Sequence, residues 1–456
     1  MKLIINKLLP ITQTSEINLS KKMLVFVGKN NAGKTYISKV IWGIYNIDDL
    51  ILHKGRVNIF NNKNKKMNEW KIDLKKIANE IQDVYNKNLK QFLRNVFKDR
   101  NKEIDIKVIF ENKDWKDLKL NATFENPIYK LVIKKEQESF NIDVKIEKKG
   151  DIKIEGIDKE NLGFINMLEN DSIKRINEFV YFAVIKTLLD KNTIYLPESR
   201  LILPKFYKHL LISQKQKIRE LFDFEFFLER KKKYRKDLPF ESDIIEDDLI
   251  DKMVLEIENE QMNDYISMLE QIMEGKINVK KNEEIGFSYF VYDNGKIELP
   301  MEKSSSMVNQ LALLYIYFKY WYKKRRKNFL IIDEPEMNLH PEKKVKLVEF
   351  LMDFASKNKL LMTTHSHVMA KTIINYLELL ELKEKNRSGY DILLKEYDLK
   401  DLNLKSEEIG IYYFSGDTIV PYKEKDEANI HFGTFTEVEN KLKEIYWAID
   451  DYRDLK

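Results

Sequence analysis

Two segments far apart in the chain read as halves of one site. Gly28-Lys29-Asn30-Asn31-Ala32-Gly33-Lys34-Thr35 follows the apolar run Met23 to Val27. It precedes Lys34 to Tyr45, where Tyr36, Ile37, Val40, Ile41 and Ile44 share one helical face. A glycine-rich loop between a strand and a helix is the setting that makes this pattern a phosphate-binding loop. Far downstream, Phe329-Leu330-Ile331-Ile332 ends in Asp333-Glu334. A strand delivers such acids to the carboxyl edge of a parallel sheet, where open α/β folds bind ligands. The interval between the halves has room for further domains. One nucleotide-binding core is therefore expected to be interrupted by insertions.

The residue types fit phosphate chemistry. Backbone N–H groups of 28–35 and the positive end of the following helix suit a phosphate chain. Lys34 is expected to reach the β- and γ-phosphates of ATP, and the Thr35 hydroxyl to ligate Mg²⁺. Asp333 is expected to hold the same Mg²⁺, mostly through water. Glu334 is expected to polarise the attacking water, since a carboxylate can orient water or accept its proton at neutral pH. His365 ends the next apolar run, Leu360 to Thr364, and is placed to act on the γ-phosphate or that water. Ser304-Ser305-Ser306 opens a helix. These serines cap it, and small hydroxyl residues at a helix N-terminus also make an anion site. One nucleotide does not need two helix N-termini of one chain, so they are expected to face a nucleotide held by a second protomer.

Composition narrows the class. The chain has 456 residues, which allows about three units of roughly 150 residues each. Hydrophobic residues make up 43%, enough for a packed core. The 79 Lys and Arg nearly balance 74 Asp and Glu, so nucleic-acid binding is neither demanded nor excluded. The absence of cysteine removes disulfides, thiolate metal sites and Cys nucleophiles. The apolar start of the chain is too short for a signal peptide. Leu311 to Tyr322 falls short of the roughly 20 residues that span a bilayer. A soluble, cytoplasmic protein is expected.

The fold class expected is α/β, a mixed sheet with flanking helices and two insertions. Residues 1–50 form the first lobe of the core. Residues 51–190 form an α+β insertion, with helical spacing from Ile77 to Val96. Alternating strands follow at Ile106 to Phe110, Leu118 to Phe124, Tyr129 to Ile133 and Ile142 to Ile146, read as one β-meander. Ile173 to Leu189 is helical again. The core returns at 191–205 with the strand Thr193 to Leu196. A charged helical insertion covers 206–279. The second lobe covers 280–425, with a hairpin at Phe287 to Leu299, a helix from Met307 to Tyr322 and a hairpin around Gly416-Asp417. A C-terminal helix at 426–456 opens with the capping box Thr434-x-x-Glu437.

Together these motifs resemble the ABC-type ATPases of the RecF, SMC and OLD group. The loop 28–35 resembles theirs closely, and so does Asp333-Glu334-Pro335-Glu336-Met337-Asn338-Leu339-His340-Pro341. In that stretch Asn338 falls in the D-loop. Thr363-Thr364-His365-Ser366 resembles the switch-histidine motif, and Ser304-Ser305-Ser306-Met307 the signature motif. Ser306 stands where OLD-like members usually have glycine, which leaves open which serine contacts the γ-phosphate; Ser305 is our choice. Leu196-Pro197-Glu198-Ser199-Arg200 resembles a Pro-x-x-Arg element of defence-associated members, in which Arg200 supports the nucleotide or the interface. The resemblance implies ATP and Mg²⁺ as cofactors and a P-loop NTPase head that closes as a head-to-tail homodimer, or a higher even-numbered assembly, around two nucleotides.

OLD nucleases add a TOPRIM domain, which needs roughly 100 residues. The stretch after Val420 is shorter, so no nuclease in cis is expected. The chain thus looks like stand-alone ATPases of anti-phage systems such as Septu or PARIS. It would serve as sensor and scaffold for a separate effector, a nuclease. A RecF-like repair ATPase is the alternative, with DNA as partner through Lys231 to Lys236 and Lys323 to Lys327. A further alternative is an ATP-gated scaffold with negligible hydrolysis.

Overall fold

The computed structural model describes residues 1–8, 10–47, 69–97, 104–125, 129–148, 177–198, 264–282, 287–422 and 444. In chain order the elements begin β1 (Lys2–Lys7), β2 (Ser15–Asn18), β3 (Met23–Gly28) and α1 (Lys34–Tyr45). They continue β4 (Glu69–Asp73), α2 (Leu74–Val96), β5 (Asp105–Ile109), α3 (Asn112–Asp117), β6 (Leu120–Glu125), β7 (Tyr129–Lys135), β8 (Asn141–Lys148) and β9 (Asn192–Leu196). Next come α4 (Asp264–Met273), β10 (Lys276–Asn282), β11 (Phe287–Asp293), β12 (Glu298–Pro300), α5 (Ser306–Ile316) and β13 (Asn328–Asp333). The last are α6 (Pro341–Lys357), β14 (Lys359–Thr364), α7 (His367–Lys385), α8 (Arg387–Glu396), β15 (Ile409–Phe414) and β16 (Ile419–Pro421). No helix among the described residues is long and apolar enough to cross a membrane.

The chain divides into two compact units. One is Met1–Ser20 with Val40–Lys191, and the other is Lys21–Lys39 with Asn192–Lys456. The first holds two antiparallel sheets, β2-β1-β5 and β4-β8-β7-β6. Helix α2 buries Ile81, Tyr85, Leu89, Phe92, Leu93 and Val96, the helical face read from the sequence. Asn86 of α2 closes the free edge of β5. Its Nδ2 donates to the Val108 carbonyl at 2.9 Å, and its Oδ1 accepts the Val108 N–H at 2.7 Å. Two expectations are corrected here. The first strand of the expected meander, β5, pairs with β1 instead of β6. Residues Glu69–Asp73 form an edge strand on β8 ahead of the helix. Alternation identifies a strand but not its neighbour.

The second unit is built on a six-stranded sheet in the order β16-β15-β3-β14-β13-β9. Strands β9, β13, β14, β3 and β15 run parallel, and only β16 is antiparallel. Every residue of β3, β13 and β14 is buried. That is why they read as unbroken apolar runs and not as alternating ones. Because the five strands are parallel, Leu196, Gly28, Asp333, Thr364 and Phe414 end at one edge of the sheet. Helix α6 packs on β14, α4 and α7, and α5 packs on α4.

Helix α5 is buried at every position from Val308 to Ile316, the pattern of a helix enclosed by core. The expected single helix to Tyr322 instead widens into a π turn over Tyr317–Trp321. The wider turn buries Tyr317, Phe318, Tyr320 and Trp321 together. Phe318 meets Tyr265, Tyr322, Phe350 and Phe354 in edge and tilted ring contacts. Lys276–Asn282, which crosses the end of the expected 206–279 helical insertion, is a strand paired with β11. The hairpin β11–β12 turns at Asn294-Gly295, with Gly295 in the left-handed region at φ 80°. The rest of the 206–279 insertion before Asp264, and the capping box Thr434-x-x-Glu437, lie outside the described residues.

Candidate functional site

The phosphate-binding loop begins where β3 meets β15. Gly28 has φ 152°, and a Cβ there would collide with the carbonyl oxygen of Phe414. Only glycine allows both the dihedral and the approach of the neighbouring strand. The loop turns through left-handed Asn31 at φ 63° and Gly33 at φ 93° into α1. Ala32 and Lys34 are buried, whereas Lys29, Asn30, Asn31 and Thr35 are exposed. Lys34 Nζ donates to the carbonyls of Gly28 at 2.8 Å and Lys29 at 2.9 Å. The loop thus wraps its own lysine, and the exposed Thr35 hydroxyl stands at the positive end of α1. Burial pushes the Lys34 ammonium below the usual lysine range, against the pull of Glu334, Asp333, Glu336 and Glu198.

Asp333 ends β13 and is 1% exposed. Its Oδ2 accepts from the Tyr195 hydroxyl of β9, and its Oδ1 accepts from Thr363 Oγ1 of β14 at 2.9 Å. The flanking strands therefore hold the carboxylate from both sides. Glu334 follows in the left-handed region at φ 45°. Such a residue costs on the order of 1–3 kcal/mol and persists only where its surroundings hold it. Here the Glu334 N–H donates to the Thr363 carbonyl at 3.1 Å and to Thr363 Oγ1 at 3.2 Å. The buried Gln310 Nε2 of α5 donates to the Glu334 carbonyl at 3.4 Å. The turn brings Glu334 Oε2 to 2.9 Å from His365 Nδ1, at the end of the adjacent strand.

Behind this pair lies Glu336, 2% exposed. Its Oε1 accepts from Thr364 Oγ1, which in turn accepts the Ser366 N–H at 3.0 Å. Its Oε2 is buried without a hydrogen-bond partner among the described residues. Burial raises its pKa above the ordinary carboxylate value, with the Thr364 hydrogen bond as the largest opposing influence. Beyond it, Asn338 is exposed in the left-handed region at φ 61°, and Leu339 turns back into the core.

No hydrogen bond among the described residues joins the three serines to this cluster. Ser304 donates to the Pro300 carbonyl at 3.3 Å, and Ser305 caps α5 by accepting the Val308 N–H at 3.3 Å. Ser305 and Ser306 are exposed. Buried Asn309 fixes the segment by donating to the carbonyls of Met301, Ser304 and Ser305. Arg200 lies outside the described residues.

Lys34, Asp333, Glu334 and His365, all singled out in the sequence, share one sheet edge. Tyr195, Thr363, Glu336 and Gln310 join them without having been singled out. A donor set of carboxylate and hydroxyl oxygens suits a hard divalent cation such as Mg²⁺. One buried ammonium among four carboxylates suits a phosphate chain that brings its own cation. Asp333 and Thr35 would hold the metal, Lys34 and the loop amides the phosphates. The metal would supply charge neutralisation to the phosphate oxygens.

The chain's likeness to known proteins follows the same residues. A comparison with curated proteins gives no match. Among solved structures, it is similar to an Smc head bound to the C-winged helix domain of ScpA, at 11% identity over 93% of this chain and 97% of that one, TM-score 0.36. It is similar to an Smc head with an extended coiled coil bound to the C-terminal domain of ScpA derived from Pyrococcus furiosus, at 14% identity over 98% of both chains, TM-score 0.35. An SMC head from Thermotoga maritima gives 9% identity over 92% and 98%, TM-score 0.31. The family model is decisive: that of the AAA ATPase domain matches residues 10–370, from before the phosphate loop to past His365. The chain belongs to the AAA ATPase domain family.

Proposed function

We propose that the chain binds Mg²⁺–ATP at the 28–35 loop and hydrolyses it only when a second copy closes over the nucleotide. Gly28 to Thr35 hold the phosphates, Thr35 and Asp333 the metal. Glu334 orients the attacking water, and His365 steadies Glu334 and the γ-phosphate. Ser304 to Ser306 and Asn338 of the second copy complete the site, with Ser305 on the γ-phosphate. Arg200 supports the nucleotide or this interface. The observation that carries the reading is the exposure of Ser305 and Ser306, whose hydrogen bonds among the described residues stay within their own turn, at a helix N-terminus that holds no acid in its first turn.

Mixing two inactive variants tests it. Lys34→Ala spoils one half-site and Ser305→Arg the other. A mixed dimer keeps one intact pairing, so combining the two proteins restores turnover. If each nucleotide were served by a single chain, the mixture would stay inactive.

The assembly is read as sensor and scaffold for a separate effector in anti-phage defence, a nuclease by the resemblance of its motifs. That step rests on family analogy. Co-purification with and without ATP, alongside plaque assays of Glu334→Gln, decides it. An effector that fails to co-purify in every nucleotide state would count against the scaffold role.

A further inference from the structure

Helix α5 touches two parts of the proposed site with two neighbouring side chains. Asn309 and Gln310 are both 0% exposed. Successive residues of a helix point about 100° apart, so the two amides reach different structures. Asn309 Nδ2 donates to the carbonyls of Met301 and Ser304, each at 3.1 Å, and of Ser305 at 3.0 Å. Its N–H also donates to the Ser305 carbonyl, at 3.0 Å. Gln310 Nε2 donates to the Glu334 carbonyl at 3.4 Å. The serine turn and the Glu334 turn of one chain are thus joined across a single peptide bond of α5.

Two observations set Gln310 apart from a side chain that only fills core. An apolar residue would serve on a helix buried from Val308 to Ile316, without the cost of desolvating an amide. Nor does the Glu334 carbonyl need Gln310 for a partner, since the Met337 N–H donates to that oxygen at 3.3 Å. What Gln310 does reach is a backbone held away from its relaxed conformation. Glu334 keeps a left-handed dihedral at φ 45°, which persists only under restraint. Thr363 restrains its N–H from β14, and Gln310 restrains its carbonyl from α5. The Gln310 bond, at 3.4 Å, is slack beside the roughly 3.0 Å usual for N–H···O. It has room to tighten, as hydrogen bonds of catalytic sites do when the reacting complex forms.

We infer that Gln310 is a positioning residue that passes engagement of the serine turn to Glu334 of the same chain. A nucleotide on the second copy that engages Ser305 pulls on the first turn of α5. Asn309 ties that turn to the serine carbonyls, and the close-packed helix passes the shift on as a unit. Gln310 then closes on the Glu334 carbonyl and fixes the carboxylate toward the attacking water. Each Glu334 is thus set only when the serines of its own chain are occupied, and the two nucleotides are hydrolysed in concert. The inference rests on the two-copy reading proposed above and adds the route between its two sites.

Hydrogen exchange read by mass spectrometry tests the route, on the full chain with Mg²⁺ and a non-hydrolysable ATP analogue. In the wild type the analogue should slow exchange over residues 301–309 and over residues 334–337, each by about fivefold or more, the lower end for coupled sites. Gln310→Met keeps the length of the side chain and removes its donor. It should keep the slowing over 301–309 and lose it over 334–337. Its kcat should fall by about fivefold or more, with KM for ATP changed by less than about twofold. Ser305→Arg, at an exposed position, works from the other end. It should lose the slowing over both segments while its own loop still binds the analogue. Slowing over 334–337 that survives in Gln310→Met, or in Ser305→Arg, would overturn the inference and leave the two-copy reading standing. A wild type with no slowing over 301–309 would overturn that reading, and the inference with it.

Discussion

Tyr195 donates its hydroxyl hydrogen to Asp333 Oδ2 from the neighbouring edge strand, two residues ahead of Pro197. The other Asp333 oxygen is taken by Thr363. The carboxylate proposed to hold the metal is therefore oriented by hydroxyls on strands that flank its own. A hydrogen bond to a charged group is worth about 1.5–3 kcal/mol. Tyr195→Phe should raise the Mg²⁺ concentration needed for half-maximal turnover several-fold, with ATP affinity in EDTA little changed. An unaltered Mg²⁺ titration would remove Tyr195 from the site.

Glu334→Gln keeps the shape of the side chain and removes its charge. The contact to His365 Nδ1 weakens, and the attacking water loses its acceptor. Turnover should drop by about 10²-fold or more, the range for loss of a general base. ATP binding, measured by filter retention, should persist. Wild-type turnover in this variant would sink the assignment of Glu334 and leave an ATP-gated scaffold.

Glu336 makes a stability prediction whose sign follows from its burial. Its native pKa lies above the ordinary 4.5, so folded chains keep a proton that unfolded chains have lost. Stability from this group is present below 4.5 and is lost as pH rises through the raised native value. Glu336→Gln cannot titrate. The melting-temperature difference, variant minus wild type, should therefore grow from acid to neutral pH. A difference that is flat with pH would contradict the buried, proton-holding carboxyl.

Gly28→Ala places a methyl group against the Phe414 carbonyl at a dihedral that side chains avoid. Either β15 moves or the loop does. Melting temperature and ATP affinity should both fall, and Phe414→Ala should not rescue them because the clash is with backbone. Full affinity at wild-type stability would show that the approach is looser than the strand register implies.

Much of this site was legible from sequence because its motifs sit where unbroken apolar runs end. Met23 to Val27, Phe329 to Ile332 and Leu360 to Thr364 are buried on both faces, so they stand out without alternation. Their parallel pairing then places Lys34, Asp333, Glu334 and His365 together. Tyr195 and Thr363 carry no role in the sequence reading, although Thr363 stands in the switch-histidine stretch, because nothing in a sequence marks a hydroxyl as the donor to a carboxylate. Its role depends on β9 and β14 being the two neighbours of β13, and strand order is not written in any one segment. Glu336 stands within a motif, but its burial comes from packing against Thr364. The same limit explains β5 and β10. One has the period of a strand but pairs outside the expected sheet. The other carries enough lysine to pass for a solvated helix.

The Gly28–Phe414 register bears on how the protein is made. Strand β3 lies between β14 and β15, and both are synthesised after residue 358. The nucleotide loop leaves the ribosome early, yet neither neighbour of its strand exists until most of the chain has followed. During translation β3 has two open hydrogen-bonding edges and an apolar sequence, the state most prone to wrong pairing. The first unit, apart from its Met1–Ser20 segment, is made wholly within that delay. A nascent chain stalled before Lys359 would carry an intact loop sequence and be unable to shape it around phosphate.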